Sequence, residues 1–142
     1  MTKRDEGCKK ITPKDMRKAA TGIIDYLAKQ GLWSDDVTIY AGRCRFAPNE
    51  RESAAYGLAN TSECRTRYHI RYFMTKGVDP RNYIESADPK TIAITFEGPL
   101  HTRINFSDDG PDFVYGLSEK FLAEYGLYFE QENGYTLVAY RI

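Results

Sequence analysis

The chain alternates between helical and strand periods of hydrophobic and polar positions. Thr12-Pro13-Lys14-Asp15 opens a run in which Met16, Ala20, Ile23, Ile24 and Leu27 recur at helical spacing. Lys14, Lys18, Asp25 and Lys29 take the opposite face. Thr12 can cap, Pro13 suits the first turn, and Gly31 is a natural stop, so a helix is predicted over about residues 13–30. Val37-Thr38-Ile39-Tyr40 then reads as a strand, Ala41-Gly42 as a two-residue turn, and Arg43-Cys44-Arg45-Phe46 as its return. In that hairpin Val37, Ile39, Cys44 and Phe46 share the core face, and Thr38, Tyr40, Arg43 and Arg45 the other. Residues 1–11 are polar and read as flexible, and 47–63 as a mobile loop with a short helix near Ser53–Leu58.

Cys64 to Met74 gives strict alternation and is read as one strand, with Tyr68, Ile70 and Tyr72 on one face and Arg65, Arg67, His69 and Arg71 on the other. Asp79-Pro80 opens a short helix to about Ser86, and the uncharged Thr91–Phe96 is a central strand. Glu97–Leu100 turns the chain, and residues 100–106 fit either a strand or a helical turn. A helix follows over about 111–125, with Val114, Leu117, Phe121 and Tyr125 as its apolar stripe and Gly126 as its stop. Leu127–Glu132 and Tyr135–Arg141 flank Asn133-Gly134 as a closing hairpin. The order α-β-β-β-α-β-α-β-β makes this an α+β protein. A single domain over 1–142 carries an antiparallel or mixed sheet with helices packed on one face.

Composition changes this picture little. The 142 residues suit one domain, and 42% hydrophobic with 28% charged residues excludes a disordered tail or a coiled coil. The zero net charge hides a split, however. Residues 1–75 carry 14 Lys and Arg against 9 Asp and Glu, and residues 76–142 carry 6 against 11. Such a split marks a basic surface and an acidic one, unless the halves interleave in space and mix their charges. Three cysteines without CxxC spacing fit a reduced, cytosolic compartment. The charged N-terminus carries no apolar signal segment, and no apolar run is long enough to span a membrane.

Catalytic equipment is sparse. His69 and His101 stand outside metal-ligand spacing, and no phosphate-binding or nucleophile-elbow motif occurs, so neither enzyme activity nor a metal or cofactor is expected. A Cys64 or Cys44 dyad with His69 competes with the simpler reading of both cysteines as core residues. Asp35-Asp36 and Asp108-Asp109 read as turn and capping residues. The ionic stripe stands out instead. Arg65, Arg67, His69 and Arg71, joined by Arg43, Arg45 and Tyr40, would offer forked donors to phosphate and an aromatic platform. Against this stands a solvated face whose arginines pair with neighbouring acids. Glu130 and Glu132 lie on one face of the last hairpin, either as an anionic contact patch or as a charged edge that discourages aggregation.

The strings TIAITFEGPL at 91–100, Asn105, and EYGLYFEQENGYTLVAY near the end resemble small proteins of bacterial phages and integrative elements. The helix ending YLAKQGLW and the hairpin VTIYAGRCRF share the likeness, which departs at Ala41-Gly42 and at residues 47–63. Among such proteins anti-CRISPR inhibitors form the best-populated class. The resemblance therefore implies a non-catalytic anti-defence protein, a stoichiometric inhibitor of a Cas9-type effector whose partner is that effector or its guide or target nucleic acid. The alternatives are a nucleic-acid-binding accessory protein and a sponge for a nucleotide defence signal.

Overall fold

A computed structural model describes residues 9–49, 62–67 and 70–141, with backbone alone at Ser62, Glu63 and Arg67. The first helix, α1 (Pro13–Lys29), begins on a capping box. The Thr12 hydroxyl accepts from the Asp15 amide at 3.1 Å, and the Asp15 carboxylate accepts from the Thr12 amide at 3.0 Å. The Thr12 amide and the Thr12 hydroxyl, at 2.8 Å, both donate to the Asp15 carboxylate and hold that carboxyl below its ordinary range. Gly31 ends the helix at φ +72°, where the next amide, Leu32, returns to the Leu27 carbonyl at 2.8 Å. Met16, Ala20, Ile23, Ile24 and Leu27, the stripe read from the sequence, are all buried.

Seven strands follow: β1 (Val37–Ala41), β2 (Cys44–Ala47), β3 (Ser62–Arg67), β4 (Ile70–Lys76), β5 (Ile92–Phe96), β6 (Leu127–Asn133) and β7 (Thr136–Arg141). They form one antiparallel sheet in the order β3-β4-β2-β1-β5-β7-β6. Helices α2 (Gly98–Asn105) and α3 (Gly110–Phe121) join α1 over one sheet face, and all three bury apolar residues in one cluster with Val37, Ile39, Phe46, Tyr72, Ile94 and Leu137. The protein is therefore α+β with its helices on one face. The strands before residue 77 fill one half of the sheet and those after residue 91 fill the other, so the two sequence halves do not interleave there.

The opposite face is covered at its centre by the β4–β5 connection. This segment holds a single 3-10 turn, Pro80–Asn82, capped by Asp79, where the sequence suggests a helix to Ser86. Val78, Ile84 and Ala87 pack from it onto Tyr40, Ala93 and Val138. Helix α2 begins at Gly98, inside the turn expected at Glu97–Leu100, and takes in most of the ambiguous residues 100–106. Asn105 fastens this helix to the last hairpin, donating to the Gly134 carbonyl at 2.8 Å and accepting from Gln131 at 2.8 Å. Gly98, at φ +60°, has room only for hydrogen, since a Cβ there would come within 2.8 Å of an Asp36 carboxylate oxygen. Helix α3 stops at Phe121, four residues short of expectation, and a 3-10 turn, Ala123–Tyr125, leads to Gly126 at φ +69°.

Three readings need correction. Residues 64–74 are not one strand: β3 and β4 are antiparallel partners in which Arg67 opposes Ile70 and Arg65 opposes Tyr72. Both two-residue turns lie one position later than expected, at Gly42-Arg43 and Gly134-Tyr135. Residues 9–11 are tied down, because the Lys9 amide donates to the Glu124 carbonyl at 3.0 Å and Ile11 packs on the core. Residues 1–8 and most of the loop expected at 47–63, including its short helix, lie outside the described residues.

Candidate binding surfaces

The antiparallel return of β4 dissolves the stripe. Residues opposed in an antiparallel pair share a face, so Arg65 lies with Tyr72 on the helix side, whereas Arg71 lies with Thr66 on the other. The Arg71 guanidinium donates to Cys64 Sγ at 3.4 Å and lies over the Phe73 ring at 5.5 Å. Cys64 is accordingly exposed and not a core residue, while Cys44 is buried as expected. Arg67 holds only its register position, and His69, with any dyad it would form, lies outside the described residues.

Arg45 opposes Tyr40 across β1 and β2 and Thr75 across β4, on the face that the β4–β5 connection covers. It is fully buried, at 0% exposure, and so cannot serve as a surface contact. Tyr40 is also buried there and stacks on Tyr83 at 5.6 Å between centroids.

What the fold assembles instead is a basic groove on the helix side. Arg17 and Thr21 from α1, Arg43 from the β1–β2 turn, Arg65 from β3 and Lys76 from β4 surround about 590 Å³. Tyr72, Phe46 and Met74 contribute apolar surface between them. Among the described residues every charged lining residue is a cation. Arg43 approaches Asp79 at 3.8 Å, but that carboxylate is gripped more closely by Arg81 at 2.8 Å. The forked Arg81 contact holds the Asp79 carboxyl down to about 2. Among the described residues Arg17 and Lys76 meet no carboxylate at ion-pair distance. Cations converging on a concave surface without acids set up a positive potential that favours phosphate or carboxylate ligands. The volume also falls within the range of small-ligand sites. Arg43 and Arg65 were in the predicted set. Arg17 and Lys76 were not, and only the i, i+4 pairing of Arg17 with Thr21 on one helix face could have suggested them.

Two cavities with acidic walls lie on the other face. A cavity of about 690 Å³ is lined by Asp36, Glu97, Tyr40, Tyr83 and Tyr135 over a floor that includes Thr38, Thr95 and Thr136. A smaller neighbour of about 350 Å³ holds Glu85 and Glu132 and shares Tyr83 and Thr136. Glu130 opposes Val138 and so lies on this face too, exposed on the edge strand. Glu132 accepts from the Tyr140 hydroxyl, and that contact, with burial, raises the Tyr140 pKa. His101 stacks on Tyr135 at 4.6 Å between centroids and meets Phe106 at 5.7 Å in a tilted contact of 58°.

Among the described residues no three His, Cys, Asp or Glu side chains converge as a metal site, and no helix is long and apolar enough to cross a membrane. No family model, curated protein or solved structure matches this chain.

Proposed function

We propose that this chain is a non-catalytic binding protein that grips a phosphate-bearing partner in its basic groove, and that the partner is a Cas9-type CRISPR effector with its guide or target nucleic acid. One observation carries the first part: Arg17, Arg43, Arg65 and Lys76 line a single groove, with no carboxylate among its described lining residues. Guanidinium groups present planar, paired donors that suit phosphate oxygens, and the apolar floor suits a base or sugar. The effector as partner rests on the resemblance to proteins of phages and integrative elements. A chain with a basic groove on one sheet face and acidic cavities on the other can meet two differently charged parts of one ribonucleoprotein.

The test is a titration of the purified protein with the effector, apo and guide-loaded, beside free RNA and DNA, at about 50 and 200 mM salt. The proposal expects binding to the effector that survives the higher salt, inhibition of target cleavage, and loss of both in Arg17→Glu with Lys76→Glu. Binding to free nucleic acid alone, collapsing at the higher salt, would replace the inhibitor with an accessory nucleic-acid-binding protein. Binding of neither would remove the groove as the functional site.

A further inference from the structure

The acidic cavity is built from three layers of chemistry. Its floor contains a row of threonines in register across three strands, since Thr38 opposes Thr95 and Thr95 opposes Thr136. The next row on the same face, Tyr40, Ala93 and Val138, is apolar and packed under the β4–β5 connection. Thr136 is only 8% exposed, yet its hydroxyl makes no hydrogen bond among the described residues while it lines both cavities. The hydroxyl oxygen itself opens into the cavity space, so it can pair with a ligand group that enters there.

The walls are electron-rich. Tyr40 and Tyr83 lie stacked at 20°, and Tyr135 stands at the mouth with 52% exposure. Among the described residues Asp36 and Glu97 are the charged groups that line this cavity, and neither forms an ion pair there. Carboxylates beside tyrosine rings attract a cation twice over, by charge and by the negative faces of the rings. Two carboxylates are too few to cage a hard metal ion, which takes six or more oxygens, and no metal-ligand cluster occurs among the described residues. An organic cation fits the donor set.

We propose that this face docks a segment of a protein partner that carries two arginine or lysine side chains, one entering each cavity. Charge complementarity selects the segment: the larger cavity offers Asp36 and Glu97, and the adjoining one Glu85 and Glu132. The cavities meet at Tyr83 and Thr136, so a short chain spans both. Beyond the mouth, Tyr135 leads through His101 to Phe106, which is 77% exposed, giving the aromatic margin that protein interfaces favour.

The probe is a blocked hexa-arginine peptide, titrated calorimetrically at low salt beside free arginine and spermidine. The peptide is expected to bind, and the isosteric pair Asp36→Asn with Glu97→Gln to weaken it by about tenfold. Thr136→Val, which keeps the shape and removes the hydroxyl, should cost about fivefold. The equally neutralising pair Asp108→Asn with Glu119→Gln, at exposed positions away from the cavities, should leave binding within about twofold if the site is local. Equal losses in that control pair would reduce the effect to net charge and overturn the proposal. So would failure of the peptide to bind. Free arginine or spermidine binding as tightly as the peptide would assign the cavities to small cations and exclude the protein segment.

Discussion

Arg45 lies under the β4–β5 connection with no exposed surface, whereas Arg65 stands in solvent beside the basic groove. Both occur in the same kind of alternating, arginine-rich string, so the two guanidinium groups look alike in the sequence. Their substitution by alanine separates them. Arg45→Ala empties a buried site and removes one side of the interactions around it, so unfolding in urea should show a loss of about 3 kcal/mol. Arg65→Ala should leave the urea midpoint unchanged and weaken binding of a polyanion. An equal stability loss in both variants would mean that Arg65 is structural. What hid Arg45 from sequence reading is that its cover comes from residues 78–91, more than thirty positions away, whose packing onto the sheet carries no local periodic signal. Tyr40 shares that face with Arg45, as the hairpin's alternation predicts, and the same cover buries it apart from what it contributes to the acidic cavity.

At the scale of elements, α1 was legible because cap, stripe and stop agree. The capping box also gives a prediction. Thr12→Ala should cost about 1 kcal/mol at neutral pH, read from the thermal or urea midpoint. The contribution of Asp15 has a definite sign. Its folded pKa is held below the unfolded value of 3.8, so its stabilisation is present above that value and is lost as pH falls through the folded one. The gap between parent and variant should therefore shrink in acid, and a gap that stayed constant would show that Asp15 contributes nothing through its charge. The hairpins were legible in a different way. A turn displaced by one residue changes the paired positions by two, so Val37, Ile39, Cys44 and Phe46 still share the core face. In the last hairpin the displacement is absorbed by a bulge between Gln131 and Asn133. The β3–β4 reversal was illegible because residues 62–76 contain no Gly, Pro, Asn or Asp to mark it. Alternation continues straight through such a segment, and a single strand is then the natural reading.

Over the whole molecule, the sheet order turns a division in sequence into a division in space. Four strands from the basic half lie on one side of β5, β7 and β6, and the basic groove forms at the basic end. The acidic cavities open on the opposite face, between residues of β1, β5 and β7 and the β4–β5 connection. This arrangement makes salt the sharpest probe of the groove. If its four cations each release counterions from one phosphate of a single-stranded oligonucleotide, the logarithm of affinity falls with the logarithm of salt at a slope near −2.8, at about −0.7 per contact. Raising salt from about 50 to 200 mM then weakens binding roughly 50-fold. Arg17→Gln with Lys76→Gln halves the number of contacts, so the slope should fall to about −1.4 and the same change in salt should cost only about sevenfold. A weaker variant with an unchanged slope would mean that the phosphates meet cations elsewhere on the chain, and the groove would lose its assignment even though binding persisted.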